Sequence, residues 1–377
     1  MKVGIPTETQ PGENRVAMVP AVASIVIGAG HELVVQSGAG KAAGYPDADY
    51  QAAGAVIASS AAEVLGGSDI VLKVQIPSVQ EAGALREGAA VIALFSPGRR
   101  LDEVRALAGR RVTSFSLELL PRTTRAQSMD ALSSQSTVAG YRGVLIAANR
   151  LPRFLPMFMT AAGTVAPAKF LILGAGVAGL QAISTAKRLG AVVSAYDVRA
   201  ASKGEVESLG AKFVDLQLGT AEGSGGYAAE QAEEAQRRQR EALAPFVVAS
   251  DVVITTAQIP GRPAPVLVTA EMMRGMRAGS VVVDLASDTG GNVEVSRPGE
   301  EVDHDGVAVI GVSNPASALP THASQLYARN LANLLALMTK DGAFVPDYED
   351  DIVAATVVTR DGEVVHGPTR ELAGAAS

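Results

Sequence analysis

The chain has 377 residues, more than a single hydrophobic core usually serves, so two domains are expected. Its formal net charge of −7 gives no reason to expect a nucleic acid or an anionic membrane surface as a partner. Cysteine is absent, which excludes disulfides, thiolate metal sites and cysteine nucleophiles and fits a cytoplasmic location. No apolar run approaches the roughly 18 residues of a membrane-spanning helix, and we expect no secretory leader before the first strand.

Short apolar runs alternate with amphipathic stretches along the first third of the chain. Such alternation predicts a parallel sheet that is covered by helices on both faces. The predicted strands are Lys2–Pro6, Glu32–Gln36, Ala55–Ile57, Ile70–Val74, Val91–Phe95 and a sixth that ends at Leu120.

A second unit of the same kind is predicted over about residues 167–311. The long helix 129–150 is expected to lead into this unit, and the helix 323–338 is expected to lead back. Its predicted strands are Phe170–Leu173, Val192–Tyr196, Ala211–Val214, Val252–Thr256, Val281–Leu285 and Val307–Ile310.

These elements predict the α/β class, with two doubly wound, Rossmann-like parallel-sheet domains that are linked by long helices. The first domain is expected to comprise residues 1–128 and 322–377, and the second residues 129–321. Near the end of the chain, Ala355–Arg360 and Glu363–His366 flank a DG dipeptide, which predicts a β-hairpin.

The most informative segment covers residues 169–197 and reads KFLILGAGVAGLQAISTAKRLGAVVSAYD. An apolar strand runs into Gly174, Gly176 and Gly179, a helix follows, and a second strand ends at Asp197. The first glycine permits a tight turn, the second lets backbone approach a pyrophosphate, and the third lets the helix pack closely. The helix N-terminus offers N–H groups and a positive partial charge to phosphates. The segment therefore predicts a dinucleotide-binding turn, and the alternative is a merely structural glycine turn.

The residue at the end of the second strand predicts the choice of cofactor. The carboxylate of Asp197 is expected to bind the ribose hydroxyls of NAD(H). It would repel the 2′-phosphate of NADP(H) by roughly 4 kcal/mol per unit charge at about 4 Å. Arg199, two residues later, would instead favour a 2′-phosphate. Because an acidic residue at this strand tip usually decides the choice, NAD(H) is predicted.

A polar segment at residues 121–136, PRTTRAQSMDALSSQS, is expected to lie at the cleft between the domains. Gln127, Asp130 and Ser133 are spaced by three, which predicts that they share one face of a helix start. Arg122 lies just upstream. Contact with a ligand is favoured, and the alternative is that Ser128 or Asp130 caps the helix while the other polar residues form a solvated surface.

The segment Leu216–Gln239 interrupts the second unit with a Gly/Ser-rich half followed by a highly charged half. The glycine-rich half is predicted to be mobile and the charged half to form a solvated helix. The segment is either a long surface crossover or a lid whose Tyr227 closes over a ligand.

Conventional catalytic groups are scarce in this sequence. The four histidines, His31, His304, His322 and His366, lie in no recognisable motif, and no cluster has metal-ligand spacing, so no metal is predicted. A dehydrogenase that acts on an alcohol or amine needs a group to move a proton. Hydride exchange between two nicotinamide rings needs alignment and no general base.

Several runs carry a more specific signal: GIPTETQPGENRVAMVP, RAQSMDALSSQS, AGYR, MTAAGTVAPAK, LGAGVAGLQAISTAKRLGAVVSAYDVRA and ITTAQIPGRPAPVLVT. From Met1 to about Arg360 the chain closely resembles the NAD(H)-binding component of proton-translocating NAD(P)+ transhydrogenases. The resemblance implies a homodimer that is peripheral on the inner face of the cytoplasmic membrane. It also implies membrane-spanning partner subunits and a beta subunit that holds NADP(H). Hydride would pass directly between NAD(H) and NADP(H), coupled to proton translocation in the membrane partners.

The resemblance also implies individual site residues, and it favours the lid interpretation of residues 216–239. The residues implied to orient the reacting ring are Arg122, Gln127, Asp130 and Ser133. The residues implied to contact NAD(H), besides Gly174, Gly176 and Gly179, are Thr123, Thr124, Ser128, Met129, Val177, Asp197, Val198, Arg199, Gly226, Tyr227, Gln239 and Gln258.

Two alternatives remain from the sequence. One is an alanine dehydrogenase-like oxidoreductase, because Arg15 and Lys73 match the pyruvate-binding residues of that enzyme and Asp288 matches its catalytic aspartate. Its catalytic histidine, however, falls at Ser96, and the insertion 216–239 is typical of transhydrogenases. The other alternative is a non-catalytic NAD(H) sensor.

Overall fold

The computed structural model of the chain describes residues 1–216, 233–259 and 262–375. The chain divides into two compact units, Met1–Gln135 with Ser317–Ser377, and Ser136–Ala316. Each unit contains a mainly parallel sheet with helices on both faces. The predicted class, two doubly wound α/β domains, is therefore confirmed. Among the described residues, no helix is both long enough and apolar enough to cross a bilayer.

The strands are short and mostly apolar, as parallel strands buried on both faces must be. In chain order they are β1 Lys2–Ile5, β2 Glu32–Gln36, β3 Val56–Ala58, β4 Ile70–Gln75, β5 Ala90–Leu94, β6 Thr113–Ser116, β7 Phe158–Thr160, β8 Gly163–Val165, β9 Lys169–Leu173, β10 Val192–Tyr196, β11 Lys212–Phe213, β12 Val252–Thr255, β13 Val281–Asp284, β14 Glu301–His304, β15 Val307–Gly311, β16 Thr339–Lys340, β17 Ala343–Phe344, β18 Val357–Arg360 and β19 Glu363–Val364.

The helices connect most of these strands. In chain order they are α1 Pro20–Gly28, α2 Asp47–Ala52, α3 Ala61–Gly67, α4 Val79–Ala84, α5 Leu101–Gly109, α6 Ala131–Arg150, α7 Val177–Arg188, α8 Ser202–Ser208, α9 Glu233–Val248, α10 Ala270–Arg274, α11 Pro320–Leu337, α12 Asp351–Thr356 and α13 Gly367–Ala375. Short 3₁₀ turns lie at Lys41–Ala43, Leu117–Leu119, Thr124–Met129, Ser287–Thr289 and Pro315–Ala318.

The sheet of the first unit has the strand order β19-β18-β6-β5-β4-β1-β2-β3. Strands β1 to β6 are parallel, and β18 adds to β6 in the antiparallel direction. The predicted C-terminal hairpin is confirmed, since β18 and β19 pair antiparallel. Asp361 and Gly362 both have positive φ, 54° and 92°, as the tight hairpin turn requires. The first strand of this hairpin begins at Val357, because Ala355 belongs to α12.

The sheet of the second unit has the order β11-β10-β9-β12-β13-β15-β14. All its pairs are parallel except β14 with β15. In β9, Phe170 and Ile172 pack in one apolar cluster, whereas Leu171 and Leu173 pack in another. Alternate residues of this central strand therefore face two separate helical layers.

The helix predicted to start at residue 129 begins instead at Ala131. Met129 closes the preceding 3₁₀ turn, and Asp130 leaves helical geometry, with φ −70° and ψ 88°. The carboxylate of Asp130 accepts hydrogen bonds from the N–H and hydroxyl of Ser133, at 2.9 and 2.6 Å. The helix boundary was predicted wrongly because this side chain caps the helix from outside it.

Other boundaries also differ from the prediction. The strand expected to end at Leu120 ends at Ser116 and gives way to a 3₁₀ turn, and the strand expected over residues 211–214 is reduced to β11. Three antiparallel additions, β14 and the hairpins β7–β8 and β16–β17, were not predicted. The residues of β14, EVDH, alternate between exposed and partly buried positions, and the strand has no continuous apolar run.

Candidate nucleotide-binding site

The strand order of the second unit reverses at β9, which has β10 on one side and β12 on the other. Chain connections leave the two sides of such a strand in opposite directions and open a crevice at the carboxyl ends of the strands. Gly174 follows β9 and Thr256 follows β12 at this edge, and the Thr256 hydroxyl donates to the Gly174 carbonyl at 3.0 Å. The glycine-rich segment therefore lies where ligands bind in open α/β sheets.

The three glycines of this turn have different surroundings. Gly174 has φ 100°, and a Cβ there would lie 2.6 Å from the Thr256 hydroxyl oxygen. A Cβ on Gly179 would lie 1.9 Å from the carbonyl oxygen of Gly174. A Cβ on Gly176, by contrast, would meet nothing within 4 Å. Gly174 and Gly179 are thus required by the packing of the turn, whereas Gly176 borders open space.

Helix α7 begins directly after Gly176, at Val177, whose side chain is 42% exposed. No side chain of the described residues caps this helix. Its first N–H groups and the positive end of its dipole are therefore available to an anion such as a pyrophosphate. The open space at Gly176 and this uncapped N-terminus together fit a dinucleotide.

Asp197, directly after β10, lies beside the turn. One carboxylate oxygen accepts from the N–H of Ala175 at 2.7 Å and from Arg199 Nη2 at 3.1 Å. The other accepts from the backbone N–H and Nε of Arg199, at 2.9 and 3.0 Å. Since a carboxylate offers about four acceptor positions, ribose hydroxyls must displace the Arg199 side chain to bind Asp197. The arginine that could favour a 2′-phosphate is held by the carboxylate that would repel it.

The remaining predicted nucleotide contacts of this unit lie in several environments. Gln239 is buried and donates from Nε2 to the hydroxyl of Tyr196 at 3.0 Å, which places it beside the end of β10. Gln258 donates to the carbonyl of Leu285 at 3.2 Å, and Val198 packs partly buried against an apolar cluster. Gly226 and Tyr227, with most of the predicted lid 216–239, lie outside the described residues.

The second predicted cluster lies in the first unit, on the 3₁₀ turn Thr124–Met129 and its flanks. Ala126 and Met129 are buried, at 1% and 8% exposure, and pack in the apolar core. The structure exposes the side chains of Arg122, Thr123, Thr124, Gln127 and Ser128. The buried side chains of Ala126 and Met129 thus hold a turn whose polar side chains face solvent. Met129 was predicted as a nucleotide contact, but its side chain lies in the core.

Comparisons with known proteins agree with this architecture. Models of the alanine dehydrogenase/PNT N-terminal and C-terminal domains match residues 4–139 and 143–367. An NAD(P) transhydrogenase alpha subunit from Rhodospirillum rubrum is 50% identical over 376 residues, covering 97% of this chain and 98% of that protein. The chain belongs to the alanine dehydrogenase/PNT family. The sequence resemblance to transhydrogenases is thereby confirmed.

Solved structures include both kinds of protein in this family. A transhydrogenase from Sinorhizobium meliloti superposes with a TM-score of 0.86 at 45% identity, covering 97% of this chain and 99% of that one. An L-alanine dehydrogenase superposes with a TM-score of 0.83 at 25% identity, and both chains are covered completely. Within the family, the chain is thus more similar in sequence to the transhydrogenases.

The first unit has an equivalent reversal of strand order at β1, which has β4 on one side and β2 on the other. Lys73 Nζ lies 2.7 Å from Glu81 and 3.5 Å from Glu8, and Arg15 forms an ion pair with Glu13 at 2.6 Å. Burial raises the pKa of Glu8 to about 7. Arg15 and Lys73, which the sequence comparison predicted to match pyruvate-binding residues of alanine dehydrogenases, are therefore both already in ion pairs.

Sequence reasoning missed these glutamates. One signal was available, since Ser78 and Glu81 form the reciprocal capping box that opens α4 and places Glu81 at its N-terminus. The pairing of Glu81 with Lys73 depends on the fold and has no local signal.

Ser96 and Asp288, the other two positions compared with alanine dehydrogenases, also form hydrogen bonds within the chain. Ser96, where the sequence comparison placed the catalytic histidine of alanine dehydrogenases, has φ 47° and donates from its N–H and hydroxyl to Glu118, at 2.9 and 3.1 Å. Asp288 is exposed and accepts from the N–H of Asn314 at 2.8 Å.

Proposed function

We propose that this chain is the NAD(H)-binding subunit of a proton-translocating transhydrogenase, and that hydride passes directly between its NAD(H) and NADP(H) on a partner subunit. The observation that carries the proposal is the turn from Leu173 to Val177, with open space at Gly176 and the carboxylate of Asp197 beside it. The 50% identity to a transhydrogenase alpha subunit supports the reaction class.

The residues of the second unit would hold the nucleotide. The N–H groups at the start of α7 would bind the pyrophosphate, and Asp197 would bind the adenosine ribose once Arg199 has moved aside. Val198, Gln239 and Gln258 are the further contacts proposed in this unit.

The residues of the 3₁₀ turn and its flanks would act on the nicotinamide end. Bound NADH supplies the hydride, and the transfer to a second nicotinamide ring releases no proton at the reacting atoms. Arg122, Gln127, Asp130 and Ser133 therefore need only orient the ring and exclude competing geometries. The neighbouring positions Thr123, Thr124 and Ser128 are proposed to shape the same surface, and Met129 is proposed to support it from the apolar core.

The contacts of Arg15 and Lys73 argue against oxidation of an amino acid. A keto-acid carboxylate would have to displace Glu13 from the first and Glu81 from the second, both in buried pairs. In addition, Ser96 has no basic group that could accept a proton from an amine at neutral pH.

A surface suited to a second copy of the chain lies on the hairpin β7–β8. Residues 154–168 carry no charged side chain, and both strands are exposed along their whole length. Phe154 and Phe158 stack edge to face with ring centroids 4.7 Å apart, and Met157 and Met159 are 59% and 78% exposed. A two-stranded hairpin is only marginally stable alone. An uncharged apolar face on a chain of net charge −7 favours self-association, and we propose a homodimer.

The proposal further includes the partners of the complex. A beta subunit would present NADP(H), membrane-spanning subunits would move the proton, and this chain would bind them peripherally at the inner face of the cytoplasmic membrane. The test is hydride exchange between NADH and NADP+ with a purified NADP(H)-binding partner. Alanine with NAD+ in the absence of a partner serves as the control for the competing activity.

A further inference from the structure

The turn that carries Gln127 and Asp130 is held from behind by helix α11. The carbonyl oxygen of Ser128 accepts one hydrogen bond from Asn330 Nδ2 at 2.9 Å and another from Asn333 Nδ2 at 3.0 Å. The two asparagines are three residues apart, so they lie on the same face of the helix. We propose that Asn330 and Asn333 are positioning residues for hydride transfer, which fix the peptide between Gln127 and Asp130. This inference rests on the proposed function.

Asn330 connects this carbonyl to the buried interior of the first unit. Its Oδ1 accepts from the hydroxyl of Ser134 at 2.7 Å, and that hydroxyl accepts from Gln135 Nε2 at 3.1 Å. Gln135 Oε1 in turn accepts from Arg15 Nη1 at 2.9 Å. Since each amide both donates and accepts, its orientation is fixed, and the network holds the Ser128 carbonyl in one place.

A second attachment lies at Arg125, on the same turn. Its guanidinium forms ion pairs with Asp350 and Asp351, at the start of α12. On the same turn, Ala126 and Met129 are buried in the apolar core of the first unit. The backbone of residues 125–129 is therefore fixed to the first unit by two hydrogen bonds, two ion pairs and two buried apolar side chains, while the side chain of Gln127 remains exposed.

Because the hydrogen bonds and ion pairs that hold this turn lie in the first unit, they should affect hydride transfer more than NADH binding. The pyrophosphate and ribose contacts proposed above belong to the other unit, so loosening the Ser128 carbonyl leaves most of the NADH binding energy intact. Hydride transfer is more sensitive, because a displacement of about 1 Å in a reacting group can reduce a rate about a hundredfold. Loss of the amide donors should therefore reduce the transfer rate without weakening NADH binding.

The test compares wild type with Asn333→Ala, Asn330→Ala and the double variant. Hydride transfer to NADP+ on a purified partner, NADH affinity, and tryptic cleavage after Arg122 and Arg125 are measured for each. We expect the double variant to transfer hydride about tenfold more slowly, with an unchanged NADH dissociation constant and faster cleavage at these two arginines. Asn333→Gln, which keeps an amide donor, should recover most of the rate.

The control is Asn149→Ala, which removes an exposed helical asparagine from α6 in the other unit. Suppose that wild type transfers hydride with its partner. If the double variant is then equally fast, or loses transfer rate and NADH affinity equally, this inference is wrong and the proposed function still stands. If the buried Asn330 proves necessary for folding, the exposed Asn333→Ala decides by the same three measurements. A wild-type chain that transfers no hydride with its partner overturns the proposed function instead.

Discussion

A Cβ atom on Gly179 would lie 1.9 Å from the carbonyl oxygen of Gly174 and 2.8 Å from its carbonyl carbon. The contact is with backbone, which cannot rotate away as a flexible side chain can. The close approach of α7 to the end of β9 therefore depends on this glycine, and Gly179→Ala should lower the free energy of unfolding by about 3 kcal/mol.

Gly176→Ala should separate binding from folding at the same turn. A methyl group there meets no protein atom within 4 Å, so the thermal unfolding temperature should stay close to that of wild type. NADH affinity should fall at least about tenfold, because the methyl group occupies the space proposed for the pyrophosphate. The matched control is Gly204→Ala on α8, which also has open space around it. Fluorescence titration with NADH checks the prediction, and normal NADH affinity in Gly176→Ala would show that the pyrophosphate lies elsewhere.

Asp197→Ala should weaken NADH binding about tenfold or more and relax the rejection of NADPH. The substitution removes a charged acceptor for the ribose hydroxyls and also removes the carboxylate that would repel a 2′-phosphate. Titrations with both reduced nucleotides measure the change in preference. Glu207→Ala, an exposed carboxylate of α8, should leave both affinities unchanged. An unaltered preference in Asp197→Ala would refute the role of this carboxylate.

Gln127→Asn or Asp130→Asn should reduce hydride transfer at least about tenfold, and far more than NADH affinity, because both residues are proposed to orient the ring. Asparagine at position 130 can still accept from the Ser133 N–H and cap α6, so loss of the helix does not explain the effect. Steady-state transfer and NADH titration give the two quantities. Gln80→Asn, an exposed glutamine of α4, is the control. Equal losses of rate and affinity would contradict an orienting role.

Glu8 should make the first unit less stable as the pH rises. Burial raises its pKa in the folded chain from 4.5 to about 7, so between these values the folded state holds a proton that the unfolded state has released. The free energy of unfolding should therefore decrease across this window, by about 3 kcal/mol at most. Denaturant unfolding at pH 5 and pH 8 should show a smaller decrease in Glu8→Gln than in wild type. The exposed control Glu87→Gln should lose as much unfolding free energy between the two pH values as wild type does. If Glu8→Gln also loses as much as wild type, the pH dependence arises from another group.

Met159→Asp should dissociate the proposed homodimer without unfolding the chain, because the methionine is 78% exposed in one protomer. Burial of a carboxylate in an apolar contact costs several kcal/mol, enough to shift the association equilibrium strongly. Sedimentation or light scattering should give twice the mass of one chain for wild type and a single mass for the variant. Ile25→Asp, on α1 and 62% exposed, should remain dimeric. A monomeric wild type would remove the basis for the homodimer.

The sequence predicted those parts of the fold that local patterns specify. Continuous apolar runs located the central strands, and the glycine spacing placed a turn between β9 and α7. Strand β14 was missed because its polar, half-exposed residues are stabilised by pairing with β15.

The start of α6 was predicted too early because the helical pattern was followed through Asp130, although a cap in this segment was the alternative. Several long-range contacts had no local signal. Asp130 interrupts an apparently continuous helix because its carboxylate bonds to Ser133. The pairing of Lys73 with Glu8, and of Asn330 with the Ser128 carbonyl, joins residues far apart in the chain. Such contacts follow only once the sheet and α11 are in place.

The most direct test of the account is the fate of a deuterium label carried at C4 of NADH, in the position that is transferred. The purified chain, mixed with a purified NADP(H)-binding partner and NADP+, should give NADPH that retains the label, and neither protein alone should do so. Loss of the label to solvent, or steady reduction of NAD+ by alanine without any partner, would contradict direct transfer between two nucleotides.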